Sequence, residues 1–514
     1  MPLPAPHSKA LRPLPPRKAR SSAWLIGAVW ALAAWSAHAQ VSARDQDSWR
    51  ALSRLGYGPT PALLAQVEQA GGARAWALRE IDAAWAAGQQ PVRLGGMPAD
   101  FNAPLPEIFQ RYRDERDARR VQRDAQGAAS AASPMSPPDA TLRYSARITR
   151  DAAAWRLASC SRTEIEHPLL ARMTEFWFNH LNVSADKGSV RPFVGHYVVN
   201  AIRPHALGRF DQLLLASARH PAMLYYLDQA QSVADGTLQG ERRRGLNENY
   251  ARELMELHTL GAHGGYTQQD VRELARVLTG WTVAPQQPGG FRFAPRLHDA
   301  GIKTVLGQRF GADDAVAAPG RAADPRTAEG EGLAALRLLS QHPATARRVA
   351  LRLAQWFVAD EPPPALVEQL ARSFESSGGD TRAVLRTLVQ SAEFWNPAHT
   401  LFKTPYDHAC SALGATQVAL DERVLQQTLA QLQTAGQGVH RWPTPDGYKT
   451  AAATWLAPEA LTRRADYAMQ LTRSGPDVGF LTRFMHAATR QKIEAQPPTL
   501  RAALLLSSPD FMNK

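Results

Sequence analysis

The sequence predicts an all-α protein, predominantly helical, with a small β-hairpin in a loop-rich insertion. Along most of the 514 residues, apolar side chains recur at the three- and four-residue intervals of an amphipathic helix. Strand-like alternation is confined to residues 284–332, a segment that is rich in Pro, Gly and Asp and has no helical period. Within this insertion, residues 291–293 and 303–310 are predicted to pair as the hairpin.

Helix starts can be predicted from residues that suit a first turn. Thr163 and Glu166 have the spacing of a capping box, as do Thr267 and Asp270, so a helix is expected to open at each pair. Pro221 suits the first turn of another helix, because proline lacks the backbone N–H that this turn leaves unbonded. These signals agree with the helical periodicity.

The N-terminus has the organisation of a cleavable signal peptide. Residues 1–20 contain five basic residues and no acidic residue, and residues 23–35 form an apolar run that is short for a membrane-spanning helix. An Ala-x-Ala sequence ends at Ala39, as at a signal peptidase site. We therefore predict a signal peptide at 1–39, cleavage after Ala39, and a periplasmic or secreted location. The alternative is a single membrane anchor, which the early end of the apolar run disfavours.

The mature chain, residues 40–514, is predicted to be a single helical domain. The alternative organisation has two lobes, 40–283 and 333–514, joined by the insertion 284–332. Residues 125–140 are small and Pro-rich, which predicts a disordered, dispensable surface loop.

Composition and motifs exclude several classes of function. The net charge of +12 falls to +7 once the five basic residues of the leader are removed, and no Lys/Arg cluster is interleaved with aromatic residues. Nucleic-acid binding is therefore not expected. The mature chain has no long uncharged apolar run, so stable membrane insertion is not expected either. It also has no phosphate-binding glycine loop and no dinucleotide fingerprint, so no nucleotide cofactor is predicted.

The sequence contains two cysteines, Cys160 and Cys410. In an oxidising compartment they can form one disulfide. The alternative is two buried free thiols, and the sequence leaves both interpretations open.

The densest group of polar residues lies within residues 247–257. It consists of Asn247, Glu248, Asn249, Arg252, Glu253 and Glu256. On an ideal helix the last four share one arc, which is either a solvated face linked by i,i+4 ion pairs or the wall of a polar cleft. We expect this arc to be largely buried and to face the two groups described next.

Two further groups are candidates for chemistry. At the predicted end of a helix, Trp177 precedes Asn179 and His180, and this histidine either caps the helix or acts as an acid, base or metal ligand. His298 and Asp299 lie in the loop-rich insertion, where binding residues are common but where Asp before glycine is also ordinary turn chemistry. Residues 440–448 form a fourth, weaker group.

Long motifs give the chain a resemblance to a known family. In chain order they are FWFNHLNVS (176–184), HPAMLYYLD (220–228), NENYARELMELHTLG (247–261), GGYTQQDVRELARVLTGWTV (264–283), HDAGIKTVLG (298–307), HPATARRVALRLAQWFVAD (342–360), SAEFW (391–395), PDGY (445–448) and LLLSSPDF (504–511). They resemble, over nearly the whole mature chain, the bacterial exported family called domain of unknown function 1800 (DUF 1800). This resemblance implies an exported helical protein with no established activity.

The resemblance also implies which residues matter. The family's signature elements correspond here to Asn247–Asn249, Arg252–Glu253, Asn179–His180 and His298–Asp299. This favours a functional cleft over a solvated face, and the main alternative becomes a buried polar network that joins helices. Three positions depart from the family pattern: His258 replaces a usual Phe, Asp407 a usual Glu, and Tyr448 a usual Trp. The last two changes weaken the case for the fourth group.

The first functional hypothesis is an exported hydrolase that acts on a carbohydrate or cell-envelope polymer through a cleft of Glu, Asp, His and Arg side chains. Such acid/base chemistry needs two carboxyl groups, or a carboxylate and a histidine, across a cleft. The catalytic candidates are Glu253 and Asp299 as a pair, Glu248 as a substitute, and His180. The substrate-binding candidates are Asn179, Asn247, Asn249, Arg252 and His298, with Trp177 and Trp281 as a stacking surface for sugars.

Two other hypotheses stay open. Genes of the resembled family often lie beside those of a second exported family, domain of unknown function 1501, which resembles sulfatases and phosphatases. The resemblance therefore implies, as an alternative, a non-catalytic binding or assembly partner of such a protein. A divalent-metal site formed by His180, Glu253, His298 and Asp299 is the third hypothesis, because this mixture of nitrogen and oxygen ligands suits several metals.

Overall fold

The structure is a computed structural model that describes residues 41–128, 140–239, 242–311 and 325–514. The predicted signal peptide, residues 1–39, lies outside this part of the chain. Of the predicted loop at 125–140, residues 125–128 form the end of a helix instead, Ala140 begins a short helical turn, and the remainder lies outside the described residues.

Helices dominate the described chain, which confirms the predicted fold class. The α-helices are α1 (Ala43–Arg54), α2 (Pro61–Gln69), α3 (Ala73–Gly88), α4 (Leu105–Ala128), α5 (Tyr144–Ser161), α6 (Pro168–His180), α7 (Val194–His196), α8 (Phe210–Arg219), α9 (Pro221–Tyr226), α10 (Asn249–Glu253), α11 (Gln268–Leu278), α12 (Pro325–Gln341), α13 (Pro343–Phe357), α14 (Pro364–Ser376), α15 (Thr381–Gln390), α16 (Ala392–Trp395), α17 (Pro405–Thr416), α18 (Glu422–Thr434), α19 (Pro458–Leu471), α20 (Ala487–Glu494), α21 (Pro498–Leu506) and α22 (Pro509–Met512). Two π-helical segments, Tyr197–Ile202 and Leu254–His258, continue α7 and α10.

Two of the three predicted helix starts are confirmed. Helix α11 opens with the capping box of Thr267 and Asp270, and α9 begins at Pro221. The capping box predicted at Thr163 is wrong, because α6 begins only at Pro168. A helix opening at Thr163 would hold this proline in its interior, where the ring clashes with the preceding turn. The Glu166 side chain instead makes a buried ion pair with Arg203.

The described β-structure consists of two-stranded antiparallel sheets, and the predicted pairing of 291–293 with 303–310 is wrong. The strands are β1 (Leu238–Gln239), β2 (Arg242–Arg243), β3 (Trp281–Val283), β4 (Phe291–Phe293), β5 (Lys303–Val305) and β6 (Gln308–Phe310). Strand β4 pairs with β3, whereas β5 and β6 pair with each other. Leu306 and Gly307, between β5 and β6, both have positive φ, as a tight two-residue hairpin turn requires. The short turn at Leu306 and Gly307 therefore makes β6, and not β4, the partner of β5.

One continuous hydrophobic core extends from Ala51 in α1 to Phe511 in α22. Helix α13 packs along α14, and α5 packs against α17. Cys160 of α5 and Cys410 of α17 form a disulfide across a sequence separation of 250 residues, which decides between the two interpretations left open above. None of the described helices is long and apolar enough to cross a membrane.

Candidate functional site

The signature segment at 247–258 is an α-helix that widens into a π-helix. Helix α10 ends at Glu253, and Leu254–His258 continues it with π-helical geometry. Three carbonyl groups of this segment are bonded by side chains. His180 Nε2 donates to the His258 oxygen (3.0 Å), Arg348 Nε to the Leu257 oxygen (2.8 Å), and Thr259 Oγ1 to the Leu254 oxygen (2.6 Å). Two side chains from other helices, and the threonine that follows the segment, therefore hold an irregular turn of a kind that is frequent at functional sites.

His180 is a positioning residue in this arrangement. It is buried, and its Nε2 hydrogen is used by the His258 carbonyl. Burial, and after it the charge of Arg348, holds the pKa of His180 well below its usual value, so the ring is neutral. The predicted acid/base role therefore does not fit, because the ring is sealed from solvent and its donor is engaged.

The loop at 440–448 is fixed by the two asparagines of the second sequence group. Asn179 Nδ2 donates to the Tyr448 oxygen (3.0 Å), and its Oδ1 accepts from the Tyr448 N–H (2.7 Å). Asn182 Nδ2 donates to the carbonyls of Trp442 (3.2 Å) and Thr444 (2.8 Å). Asn179, predicted to bind substrate, thus acts as a backbone clamp, and the predicted weak group becomes a rigid part of the site.

Gly447 allows this close approach. Its φ is +71°, and a Cβ at this position would lie 2.1 Å from the Asn179 carbonyl oxygen. Any larger residue would clash with the backbone and would also be strained at this φ. The glycine thus lets the loop close onto the end of α6.

The clamped loop carries a carboxylate with three donors. Asp446 accepts from Trp442 Nε1 (2.9 Å), Thr444 Oγ1 (2.6 Å) and Lys449 Nζ (2.7 Å). Burial raises the pKa of Asp446, but hydrogen bonds from Lys449, Thr444 and Trp442 outweigh burial and lower it overall. Asp446 is therefore held in its ionised form.

Glu253 has the reverse pKa shift. Burial, and then the charges of Glu256 and Asp446, raises the pKa of Glu253, while Arg252 opposes the shift. Among the residues that the structure describes, none donates a hydrogen bond to the Glu253 or Glu256 carboxylate, and all three acids are partly open to solvent. We call Glu253, Glu256 and Asp446 the carboxylate cluster.

Two tyrosines border the carboxylate cluster. Tyr226 donates from its hydroxyl to the Pro443 carbonyl (2.7 Å), and the charges of both Asp446 and Glu253 act on it. Tyr266 is under the charges of Glu256 and Glu253. Tyr226 belongs to the edge of the hydrophobic core and Tyr266 packs against it, so both rings join the core to the carboxylate cluster.

Two arginines of α13 complete the site. Arg348 and Arg352 lie one helical turn apart, and both are half-buried. Burial and the charge of Arg352 lower the pKa of Arg348 to about 10, although Glu256 opposes the shift. Burial also lowers the pKa of Arg352, against the charge of Asp446. The arginine pair therefore lies between the π-helical turn and the clamped loop.

The start of the signature segment is a more ordinary helix terminus. Arg252 pairs with Glu248 at 3.1 Å, and Gln268 Nε2 donates to the same carboxylate at 2.7 Å. Asn247 Oδ1 caps the Asn249 N–H at 3.0 Å. All four residues of the predicted arc, Asn249, Arg252, Glu253 and Glu256, are half-buried, so the prediction of a largely buried arc is wrong. Glu248 and Arg252 have the i,i+4 pairing expected of a partly solvated face.

His298 and Asp299 are not part of the carboxylate cluster. Asp299 makes a bidentate ion pair with Arg276 (2.8 and 3.1 Å). Burial raises the pKa of Asp299, but the hydrogen bonds of Arg276 and the Gly301 N–H lower it overall. His298 is buried, with Nδ1 on the Thr279 carbonyl (2.9 Å). Asp299 is not among the charges that act on Glu253, so the expected pair of Glu253 with Asp299 is not brought together.

The two predicted stacking tryptophans are core residues. Trp177 and Trp281 have no exposed surface, and Trp177 Nε1 donates to the Ala206 carbonyl at 2.8 Å. A ring without exposed surface cannot stack on a sugar, so both assignments are corrected. The half-buried ring of Trp442, beside Asp446, is the aromatic surface next to the carboxylate cluster.

The hypothesised metal site does not form from its four residues. In the described ranges, no group of three or more His, Cys, Asp or Glu side chains is arranged to hold a metal ion. His180 and His298 direct ring nitrogens at backbone carbonyls, and Asp299 is bound to Arg276.

Three functional candidates were missed from the sequence: Asp446, Arg348 and Arg352. Asp446 lay within the weakest predicted group, and only folding shows that Asn179 and Asn182 clamp its loop. The arginines lie in the motif at 342–360, where their i,i+4 spacing was the available signal.

Fold and site together define a helical protein with a solvent-accessible carboxylate cluster, built on a π-helical turn and a clamped loop beside two arginines. The chain belongs to the family described as "Protein of unknown function (DUF1800)", whose model matches residues 50–513. This match confirms the resemblance over nearly the whole chain. No curated protein and no solved structure matches it.

Proposed function

We propose that this protein is an exported hydrolase that cleaves a glycosidic bond in a carbohydrate or cell-envelope polymer at the carboxylate cluster. One observation carries the proposal: neighbouring carboxyl groups have pKa values shifted in opposite directions, upward for Glu253 and downward for Asp446. Environments that separate two carboxyl pKa values in this way assign one group as acid and the other as base. This is the requirement of glycoside hydrolysis.

In the proposed reaction, protonated Glu253 donates its proton to the glycosidic oxygen as the bond to the anomeric carbon breaks. Asp446 takes a proton from the attacking water, whose oxygen forms the new bond to that carbon. The products are two sugar ends, and the proton on Asp446 returns through solvent to Glu253. The Trp442 ring provides an apolar face beside the reacting carbon.

Export is supported by two features. The N-terminal residues have the order basic, apolar, Ala-x-Ala that is typical of secretory signal peptides. The Cys160–Cys410 disulfide is of a kind that persists in oxidising compartments such as the periplasm.

We expect Glu253→Gln and Asp446→Asn each to reduce hydrolysis by about 10²–10⁴-fold, the usual contribution of a general acid or base. Glu253→Gln should leave the melting temperature at neutral pH unchanged or raised. The pKa of Glu253 is higher in the folded protein, so its contribution to stability is present at low pH and is lost as pH rises through that pKa. The assays are release of reducing ends from polysaccharides and purified cell-wall material, and a melting curve.

The matched control for Glu253→Gln is Glu248→Gln, which alters a nearby glutamate that pairs with Arg252 at the surface. It should retain most of the activity. Full activity in Glu253→Gln would contradict the proposal. Wild-type protein that releases no sugar but co-purifies with an exported protein of the domain-of-unknown-function-1501 type would favour the binding-partner alternative.

A second expected result concerns pH. Glu256→Gln removes a negative charge that raises the pKa of Glu253, so that pKa should fall. Because Glu253 must be protonated to act as the acid, the alkaline limb of the kcat/KM profile should move to lower pH. An alkaline limb that stays in place would show that Glu253 does not control it.

A further inference from the structure

The arginine pair Arg348 and Arg352 is placed where a substrate would lie. Both project from one face of α13, and Arg348 is anchored by its Nε to the Leu257 carbonyl (2.8 Å) in the turn that follows Glu253. The charge of Asp446 acts on Arg352 and that of Glu256 acts on Arg348. The pair therefore borders the carboxylate cluster on the side of the π-helical turn.

Neither guanidinium has an ion-pair partner among the described residues, and Arg352 has no hydrogen bond from that part of the chain either. Three buried arginines elsewhere, Arg156, Arg172 and Arg203, each bind a carboxylate directly, whereas buried Arg54 binds backbone carbonyls and buried Arg464 lies over the ring of Phe402 without a carboxylate partner. Two half-buried cations one turn apart repel each other and lose hydration, which is unfavourable unless a ligand supplies the missing charge.

We propose that Arg348 and Arg352 bind an acidic group of the substrate, so that the polymer cleaved at the carboxylate cluster is an acidic glycan. The shared chemistry is an oxyanion, either a carboxylate or a sulfate ester, to which the planar guanidinium fork donates paired N–H···O bonds. An acidic group at the arginines would place a neighbouring glycosidic bond toward protonated Glu253 and ionised Asp446, and the negative charge of Asp446 would keep further anions away. This inference rests on the proposed function for the position of the scissile bond.

The test is calorimetric binding of three probes to the mature protein. They are tetragalacturonate, its methyl ester and a sulfated galactan tetrasaccharide. The ester keeps the sugar and removes the charge, so wild-type protein should bind at least one acidic probe about tenfold or more tightly than the ester. Which acidic probe binds more tightly identifies carboxylate or sulfate as the group. Equal binding of all three probes, or no binding of any, would overturn the proposal.

The decisive variant is Arg352→Met, which should weaken binding of the acidic probe by about tenfold or more and leave ester binding unchanged. It should not lower the melting temperature, because it removes a half-buried unpaired cation. Arg347→Met is the matched control on the same helix, where Arg347 is exposed and pairs with Glu368 at 3.0 Å. It should bind like wild type. Unchanged acidic-probe affinity in Arg352→Met, with the protein folded, would refute the assignment.

Glu253→Gln separates this inference from the proposed function. The inference expects Glu253→Gln to bind the acidic probe as tightly as wild type or more tightly, because the neutral amide resembles the protonated acid and removes the charge of the ionised form. If wild-type protein binds the acidic probe but hydrolyses no glycan, the hydrolase proposal is refuted and the anion site at the arginines is retained. If it hydrolyses neutral glycans and shows no preference for acidic probes, the anion site is refuted and the hydrolase proposal is retained.

Discussion

Asp407→Asn is expected to lower the free energy of unfolding by about 3–5 kcal/mol, the loss typical of a broken buried ion pair. Asp407 is ion-paired with both Arg172 and Lys514, and all three side chains are buried. Neither cation has another carboxylate partner in the described structure. Two buried positive charges would lose their counterion, whereas the shape of the side chain would hardly change.

The measurement for Asp407 is chemical unfolding followed by a helix-sensitive signal such as circular dichroism. The control is Asp82→Asn, which removes one partner of the exposed Asp82–Arg386 ion pair and should cost no more than about 1 kcal/mol. Equal small losses in the two variants would show that the buried network contributes little.

The same carboxylate predicts acid sensitivity. Burial raises the pKa of Asp407, but Arg172 and Lys514 outweigh burial and hold it far below its usual value. A depressed carboxyl pKa contributes stability that is present above the unfolded-state value of about 3.9 and is lost as pH falls below it. The difference in stability between wild type and Asp407→Asn should therefore shrink as the pH is lowered below about 4.

The role of Asp407 shows what a motif can and cannot predict. Asp407 ends a Lys-x-Pro-x-Asp element at residues 403–407, and its departure from the usual Glu was connected above with the weakest candidate group. In the structure, Lys403 is buried against Ser411 and the rings of Trp49 and Phe511, while Asp407 binds the C-terminal lysine. The element belongs to the core rather than to the site, and neither contact is local in sequence.

Features that depend on neighbouring residues could be predicted from the sequence, whereas the approach of distant segments to one another could not. Helical periodicity, the capping box of Thr267 and the proline start of α9 follow from residues within a few positions of one another. The approach of Asp446 to Glu253 depends instead on asparagines at the end of α6 that bind the backbone of a loop much later in the chain. The spacing of apolar residues along the sequence cannot predict such a long-range contact.

The arc of polar residues at 249–256 illustrates a second limit. The sequence argument used the rotation per residue of a regular α-helix, but the segment becomes π-helical at Leu254. Glu256 lies beyond this point, so the regular rotation does not place it on the face of Arg252 and Glu253. Arg252, still in the regular helix, pairs with Glu248 and Gln268, whereas the charge of Asp446 acts on Glu253. The irregularity depends on His180 and Arg348, which come from other helices.

Removal of the disulfide by a Cys160→Ser, Cys410→Ser double substitution is expected to cost about 2–5 kcal/mol of unfolding free energy. The bond closes a loop of 250 residues, so it restricts a large part of the unfolded chain. It also joins α5 to α17, the helix that carries Asp407. Chemical unfolding of the oxidised wild type and of the double variant measures the difference in unfolding free energy. A loss below about 1 kcal/mol would show that the disulfide contributes little to stability.

The two stabilising features should be coupled, because Asp407 and Cys410 lie one turn apart on α17. The Asp407→Asn substitution leaves buried cations under α17, and without the disulfide this helix can move away from them at less cost. The combined loss should therefore be smaller than the sum of the separate losses, which a double-mutant cycle measures. Strict additivity would mean that the disulfide and the ion pairs act on separate parts of the fold, and that α17 is held rigidly by its apolar packing alone.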